Sequence, residues 1–173
     1  FPTRRSSDLG QKLSVEAAVS VLPLNGLQVF VSLVLDLSTS TSQNLPALLG
    51  ATKSFVEKLQ VELGLPVQIG IEVFAGGEVS EVWHPFYLDS DTLLEKLDEL
   101  EQYTPPSASS SNLYGALIHA LGRNEAAQQS FVQRNYGGAF TTGYVVLFTD
   151  GADTSAWKTK QHALDAIDDS DIE

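Results

Sequence analysis

The stretch Val29-Phe30-Val31-Ser32-Leu33-Val34-Leu35-Asp36-Leu37-Ser38-Thr39-Ser40 decides how this chain is read. Its first seven residues are apolar apart from Ser32, and several are β-branched. A strand with one solvated face alternates polar and apolar residues. A nearly continuous run instead suits a central strand buried on both faces, as in a parallel sheet covered by helices. Polar chemistry begins abruptly at Asp36. In open parallel sheets that place, just past the carboxyl end of a strand, is where ligands gather.

Downstream, Pro46 precedes a helical pattern that sets Leu48, Leu49, Phe55, Val56 and Leu59 on one side, ended by Gly64 and Pro66. Residues 67–74 read as a second strand. Gly76-Gly77 then predicts a turn, with Val79, Val82, Trp83 and Phe86 on a return strand antiparallel to it. Asp89-Ser90-Asp91 reads as a cap for a helix over 92–100, with Leu93, Leu94, Leu97 and Leu100 inward. After a loop of prolines and serines, a helix is expected over 113–121, a surface loop over 128–142, a buried strand over 144–148 and a last helix over 156–167. Strands alternating with helices give an α/β fold, a doubly wound and mostly parallel central sheet flanked by helices.

Upstream, Leu13, Val15, Ala17, Val19 and Val21 alternate and stop at Pro23, Asn25 and Gly26, so residues 10–26 read as a leading strand and turn. Phe1 to Leu9 resemble the translation of a sequencing adaptor. Their two arginines are out of character with the rest, and these nine residues are set aside as an artefact of that origin.

The net charge of −12 argues against nucleic acid, whose phosphates would repel the chain, and against anionic lipid. It accommodates cations or basic partners. With no cysteine, disulfides, thiolate metal sites and cysteine nucleophiles are excluded. The longest apolar stretch, 29–35, is far below the roughly 18 residues of a membrane span.

Three polar clusters carry the chemistry: Asp36-Leu37-Ser38-Thr39-Ser40, Ser109-Ser110-Ser111-Asn112 and Thr149-Asp150-Gly151. The first and third each follow a buried strand directly. Alone, Asp-x-Ser-x-Ser arises by chance in roughly one chain in twenty of this length, so position rather than pattern gives it weight. The alternation is expected to turn Asp36, Ser38 and Ser40 toward one point, and Gly151 to let its loop approach without a clashing Cβ. Two carboxylates and several hydroxyls form an all-oxygen set suited to hard six-coordinate ions, Mg²⁺ or Mn²⁺; zinc prefers nitrogen and sulfur donors.

Residues 27–167 resemble a bacterial-type von Willebrand factor A domain with its metal-ion-dependent adhesion site. The family's Asp-x-Ser-x-Ser matches Asp36, Ser38 and Ser40. Its threonine loop is similar to Ser111-Asn112-Leu113-Tyr114-Gly115-Ala116-Leu117, and its aspartate matches Asp150 in Leu147-Phe148-Thr149-Asp150-Gly151. The resemblance implies that Ser38 and Ser40 bind the cation directly, Ser111 directly or through water, and that Asp36 and Asp150 hold coordinated waters. It also implies a protein partner whose Asp or Glu carboxylate completes the coordination, and a binding module rather than an enzyme. Serine replaces the family's usual threonine at 111, losing the methyl that fixes the rotamer, and Ser109 or Ser110 could compete for the role. The family continues past the helix near Ile167, so a C-terminally truncated domain over 27–173 is expected, with an open edge on the 144–148 strand.

Other readings are weaker. A domain partnering an intracellular ATPase, of the metal-chelatase kind, would share these motifs; serine-rich loops and the lack of cysteine favour an extracytoplasmic protein instead. A Mg²⁺-dependent phosphatase with Asp36 as phosphoryl acceptor needs a second aspartate two residues on, where this chain has Ser38. His84, His119 and His162 share no spacing with a nucleophile and read as structural or surface residues. Trp83 is expected to pack on the sheet, and Trp157, just beyond Asp150, is a candidate for the ligand surface.

Overall fold

A computed structural model describes residues 27–42, 44–62, 64, 66–87, 90–135, 139–151 and 153–172. The leading strand and turn expected over 10–26, the adaptor-like residues 1–9 and the cap expected at Asp89 lie outside the described residues.

The elements in chain order are β1 (Leu27–Asp36), a short helix α1 (Thr39–Ser42), α2 (Leu45–Glu62), β2 (Val67–Phe74), β3 (Glu81–Tyr87), α3 (Ser90–Glu99), α4 (Leu113–Arg134), β4 (Phe140–Phe148) and α5 (Lys160–Asp168). A 3₁₀ turn, Leu100–Gln102, extends α3. The sheet runs β3-β2-β1-β4, with β1 parallel to both β2 and β4 and with β3 antiparallel on one edge. Among the described residues β4 pairs only with β1, so it forms the other edge.

The apolar run over 29–35 is the central strand, and Leu33, Val34 and Leu35 are fully buried. Successive side chains take opposite faces. Val29, Val31, Leu33 and Leu35 pack in a core with Leu49 and Val56 of α2 and Leu93 and Leu97 of α3. Val34 belongs to a second cluster with Phe74, Ala116 and Ala120, the last two on α4. Helices therefore cover both faces, which is why β1 needed no polar stripe.

Ser32, the break in that run, faces α4. Its hydroxyl accepts a bond from Asn124 Nδ2 (3.1 Å), and the same amide reaches the carbonyls of Phe30 (3.4 Å) and Tyr144 (3.1 Å). Gln128 Nε2 donates to Asn124 Oδ1 (3.0 Å), so the buried amide has partners on both ends. A Cβ at Gly143 would stand 2.4 Å from Asn124 Oδ1, which fixes that glycine.

Three expectations are corrected. The helix read over 113–121 continues to Arg134, and most of the loop read over 128–142 is structured. Gly122 and Asn124 weaken helix propensity, but the Asn124 bonds and the edge-on contact of Phe131 with Phe30 (5.8 Å between centroids) outweigh it. β4 begins at Phe140 because Thr141 and Thr142 pair with Gln28 and Val29. The last helix starts at Lys160: Ala156 is left-handed (φ 58°), and Thr159 forms a reciprocal cap with His162. Trp83 packs as expected, its ring 4.7 Å from Tyr103 and its Nε1 donating to Lys96 O (2.8 Å). No described helix is long and apolar enough to cross a membrane.

Candidate metal centre

Strand register brings the polar clusters together. Asp36, the last residue of β1, pairs with Phe74 at the end of β2, and Leu35 pairs with Phe148 at the end of β4. Three parallel strands thus stop level with one another, and Thr149 emerges beside Asp36. The chain passes to β2 on one side of β1 and returns to β4 on the other, so the site sits at the topological switch point of the sheet.

Asp36 is the hub. Buried at 1% exposure, it accepts from Ser38 N–H at Oδ1 (2.9 Å), and from Ser111 Oγ (3.1 Å) and Thr149 Oγ1 (2.8 Å) at Oδ2. One carboxylate therefore touches all three loops. The hydroxyls of Ser38 and Ser40 lie 3.1 Å apart, and Ser40 Oγ donates to Asp150 Oδ1 (3.1 Å). All five residues named from the sequence, Asp36, Ser38, Ser40, Ser111 and Asp150, thereby belong to one connected hydrogen-bond chain. Ser38 is buried, whereas Ser40 and Asp150 are exposed and form its open end.

Two local details differ from expectation. The first loop does not stay extended: a helical turn starts at Thr39, pinned by Thr41 Oγ1 donating to the carbonyls of Asp36 (2.9 Å) and Ser38 (2.7 Å). The turn, not strand alternation, brings the two serines together. At Gly151 a Cβ would meet no described atom within 4 Å, so close approach does not explain that glycine. Gly76 is the tight position, where a Cβ would lie 1.8 Å from Ser110 Oγ and 3.0 Å from Ser107 O. Ser110 thus turns toward the β2–β3 turn and Ser109 is exposed, leaving Ser111 as the serine of that cluster bonded to Asp36.

Sequence reasoning placed Thr149 and Asn112 in the polar clusters but gave no role to either, or to the other residues that stitch the loops. Leu37 N–H donates to Phe74 O, Asn112 N–H to Ala75 O and Gly76 N–H to Ser107 O, each at 2.8 Å. Asn112 caps α4 by accepting from Gly115 N–H (3.1 Å) and donates to the carbonyls of Gly77 and Glu78, both at 2.8 Å. A hydroxyl beside Asp150 was the one visible signal for Thr149; its partner lies 113 residues away.

Behind the site, Glu72 of β2 is buried and bonded to Arg123 (2.5 Å) and Ser80 (3.0 Å). Burial pushes its carboxyl above the ordinary glutamate value, against the pull of Arg123. Burial, helped by Arg123 and Lys158, holds His119 below the ordinary histidine value. Neither group touches the five site residues through a described bond.

The donor chemistry fits a hard cation: carboxylate and hydroxyl oxygens from three loops, with only two formal charges. Among the described residues no group of three or more His, Cys, Asp or Glu side chains could hold a metal, so any ion here depends on hydroxyls.

No protein-family model and no curated protein matches the sequence. Solved structures do. Proximal thread matrix protein 1 of the mussel byssus, determined with a zinc-occupied MIDAS motif, is similar with a TM-score of 0.56 at 15% identity, over 83% of this chain and 36% of that one. A variant of the PilB minor pilin of Streptococcus sanguinis is similar with a TM-score of 0.52 at 17% identity, over 72% and 30%. The pilus adhesin SpaC of Lactobacillus rhamnosus GG in its open conformation gives 0.51 at 18% identity, over 73% and 15%. The fold is von Willebrand factor A-like. At these identities the likeness is one of fold, and this chain spans about a third or less of each of those proteins.

Proposed function

We propose that this von Willebrand factor A-like chain is a protein-binding module dependent on a divalent cation, held by Asp36, Ser38, Ser40, Ser111 and Asp150. The observation that carries the reading is the connected set of bonds from Ser111 through Asp36, Ser38 and Ser40 to Asp150, at the level ends of three parallel strands. Ser38, Ser40 and Ser111 would offer hydroxyl oxygens, and Asp36 and Asp150 would hold waters and aim those hydroxyls. A bound Mg²⁺ or Mn²⁺ would supply an electrophilic centre for an Asp or Glu carboxylate of the partner, because few formal negative charges surround it.

Zinc occupancy of the mussel protein's motif means that donor preference alone does not choose the ion. The pilus and byssus proteins sharing the fold support a binding role over a catalytic one, and an extracytoplasmic place. Trp157, 53% exposed and hydrogen-bonded to Gly76 O (3.0 Å), would stand on the rim of the partner surface.

The test is a calorimetric titration of Mg²⁺ and Mn²⁺ into the chain, beside Asp36→Ala and Asp150→Ala. Binding by the wild type and its loss in both variants, with the circular dichroism spectrum kept, is the expected result. Unchanged affinity in either variant removes that residue from the site, and no binding by the wild type ends the reading.

A further inference from the structure

Ser111 is held by more than its bond to Asp36. Its backbone N–H donates to Thr154 Oγ1 (2.9 Å), and its carbonyl accepts from the N–H groups of Thr154 (2.9 Å) and Ser155 (3.0 Å). Both backbone groups of the second-loop serine are thus bonded to the third loop, four and five residues past Asp150. Asp153 adds a brace. Its Oδ2 accepts from Tyr114 N–H (3.1 Å) in the first turn of α4, and its Oδ1 from Ala156 N–H (3.0 Å) in its own loop. Ala156 is the one described non-glycine residue at positive φ (58°), a conformation that costs free energy for an L-residue. The bond to Asp153 closes the loop around that strained point.

These contacts tie Ser111 and the start of α4 to the segment that follows Asp150. A serine lacks the methyl that would fix χ1, so its hydroxyl is placed only as well as its backbone is placed. A looseness of about 1 Å in a supporting shell is enough to spoil a metal site. We propose that residues 153–156 are a strap that sets Ser111 relative to Asp150. Asp153 and Thr154 act as positioning residues for the cation of the function proposed above, on which this inference rests. No described side-chain bond joins either of them to Asp36, Ser38, Ser40 or Asp150; they would act through the backbone of Ser111 and the start of α4.

The test uses Mn²⁺ alone and the full chain. Free Mn²⁺ is counted by its paramagnetic resonance signal to give affinity, and water-proton relaxation reports the waters on the bound ion. Thr154→Val keeps the shape of the residue and removes the acceptor of the Ser111 N–H; Thr154→Ser keeps the acceptor. The expected result is Mn²⁺ affinity roughly tenfold weaker in Thr154→Val, the usual scale for a supporting residue, with higher relaxation per bound ion as water replaces a loosened hydroxyl. Thr154→Ser should restore both to wild-type values. If Thr154→Val fails to fold, Asp153→Asn, which can keep only one of the bonds from Tyr114 and Ala156 N–H, tests the brace instead; weaker Mn²⁺ binding is expected, and wild-type affinity overturns the strap. Wild-type chain that ignores Mn²⁺ overturns the metal reading and this inference with it. Wild type that binds, Asp36→Ala that does not, and Thr154→Val indistinguishable from wild type overturn the strap alone. Equal loss in Thr154→Ser and Thr154→Val also overturns it, because the hydroxyl acceptor would then not be the cause.

Discussion

Replacing Asp36 in two ways separates its structural work from its proposed work on a cation. In Asp36→Ala three donors lose their acceptor: Ser38 N–H, Ser111 Oγ and Thr149 Oγ1. Hydrogen bonds to a charged group each contribute about 1.5–3 kcal/mol. They share one carboxylate and are not additive, and deleting it also relieves its desolvation. A net loss of about 2–4 kcal/mol follows, a fall of roughly 4–16 °C in Tm for a domain of this size. Asp36→Asn should behave differently. Its Oδ1 can still accept from Ser38, and the two hydroxyls can rotate to accept from its Nδ2, so the metal-free loss should stay near about 1 kcal/mol. Neither variant keeps the carboxylate proposed to serve the cation. At Mg²⁺ a hundred times its Kd, wild type should gain about 2.7 kcal/mol, and both variants should gain nothing measurable. Thermal melts followed by circular dichroism, with and without Mg²⁺ at fixed ionic strength, give all six values. Asp36→Asn melting as low as Asp36→Ala without metal would refute the hub argument. Asp36→Asn gaining as much from Mg²⁺ as wild type would refute the role of its charge.

Two further outcomes follow from residues behind the site. Asn124→Leu strips partners from the Phe30 and Tyr144 carbonyls, Ser32 and Gln128. It should cost about 2–4 kcal/mol in urea unfolding while leaving Mn²⁺ affinity alone; loss below about 0.5 kcal/mol would show that this network is dispensable. Glu72 has a folded pKa above its ordinary 4.5, first because it is buried. The folded state therefore holds its proton more tightly than the unfolded one. Its contribution is full below the ordinary value and declines as pH rises toward and through the folded value. The stability of wild type minus that of Glu72→Gln should fall as pH rises above the ordinary value of 4.5, and a flat difference would contradict the burial.

Much of this molecule was written locally. The run over 29–35 implied a strand covered on both faces, and two helices pack on one side of it while α4 takes the other. Among the described residues, short-range periodicity placed the four strands and the four longer helices, with their ends shifted in β4, α4 and α5. The reading failed where distant contacts override local preference. Gly122 and Asn124 weaken helix propensity, yet α4 continues to Arg134, with Asn124 bonded to β1 and β4. Thr141 and Thr142 look like loop until β1 pairs with them.

The site divides in the same way. Asp36, Ser38, Ser40 and Asp150 were legible because each follows an apolar strand within a few residues, so chain position alone sends them to the same end of the sheet; β1 is buried, whereas β4, on the edge, is only half-buried. Which of three adjacent serines joins them was not, since Ser111 meets Asp36 across 75 residues and Gly76 turns Ser110 elsewhere. Thr149, Thr154 and Asp153 belong to the same class, for each acts on a partner at least 39 residues away. Sequence fixes what a residue can bond to and which end of a strand it follows. The register of β1 against β2 and β4 decides what it meets, because register is an outcome of packing the whole sheet at once.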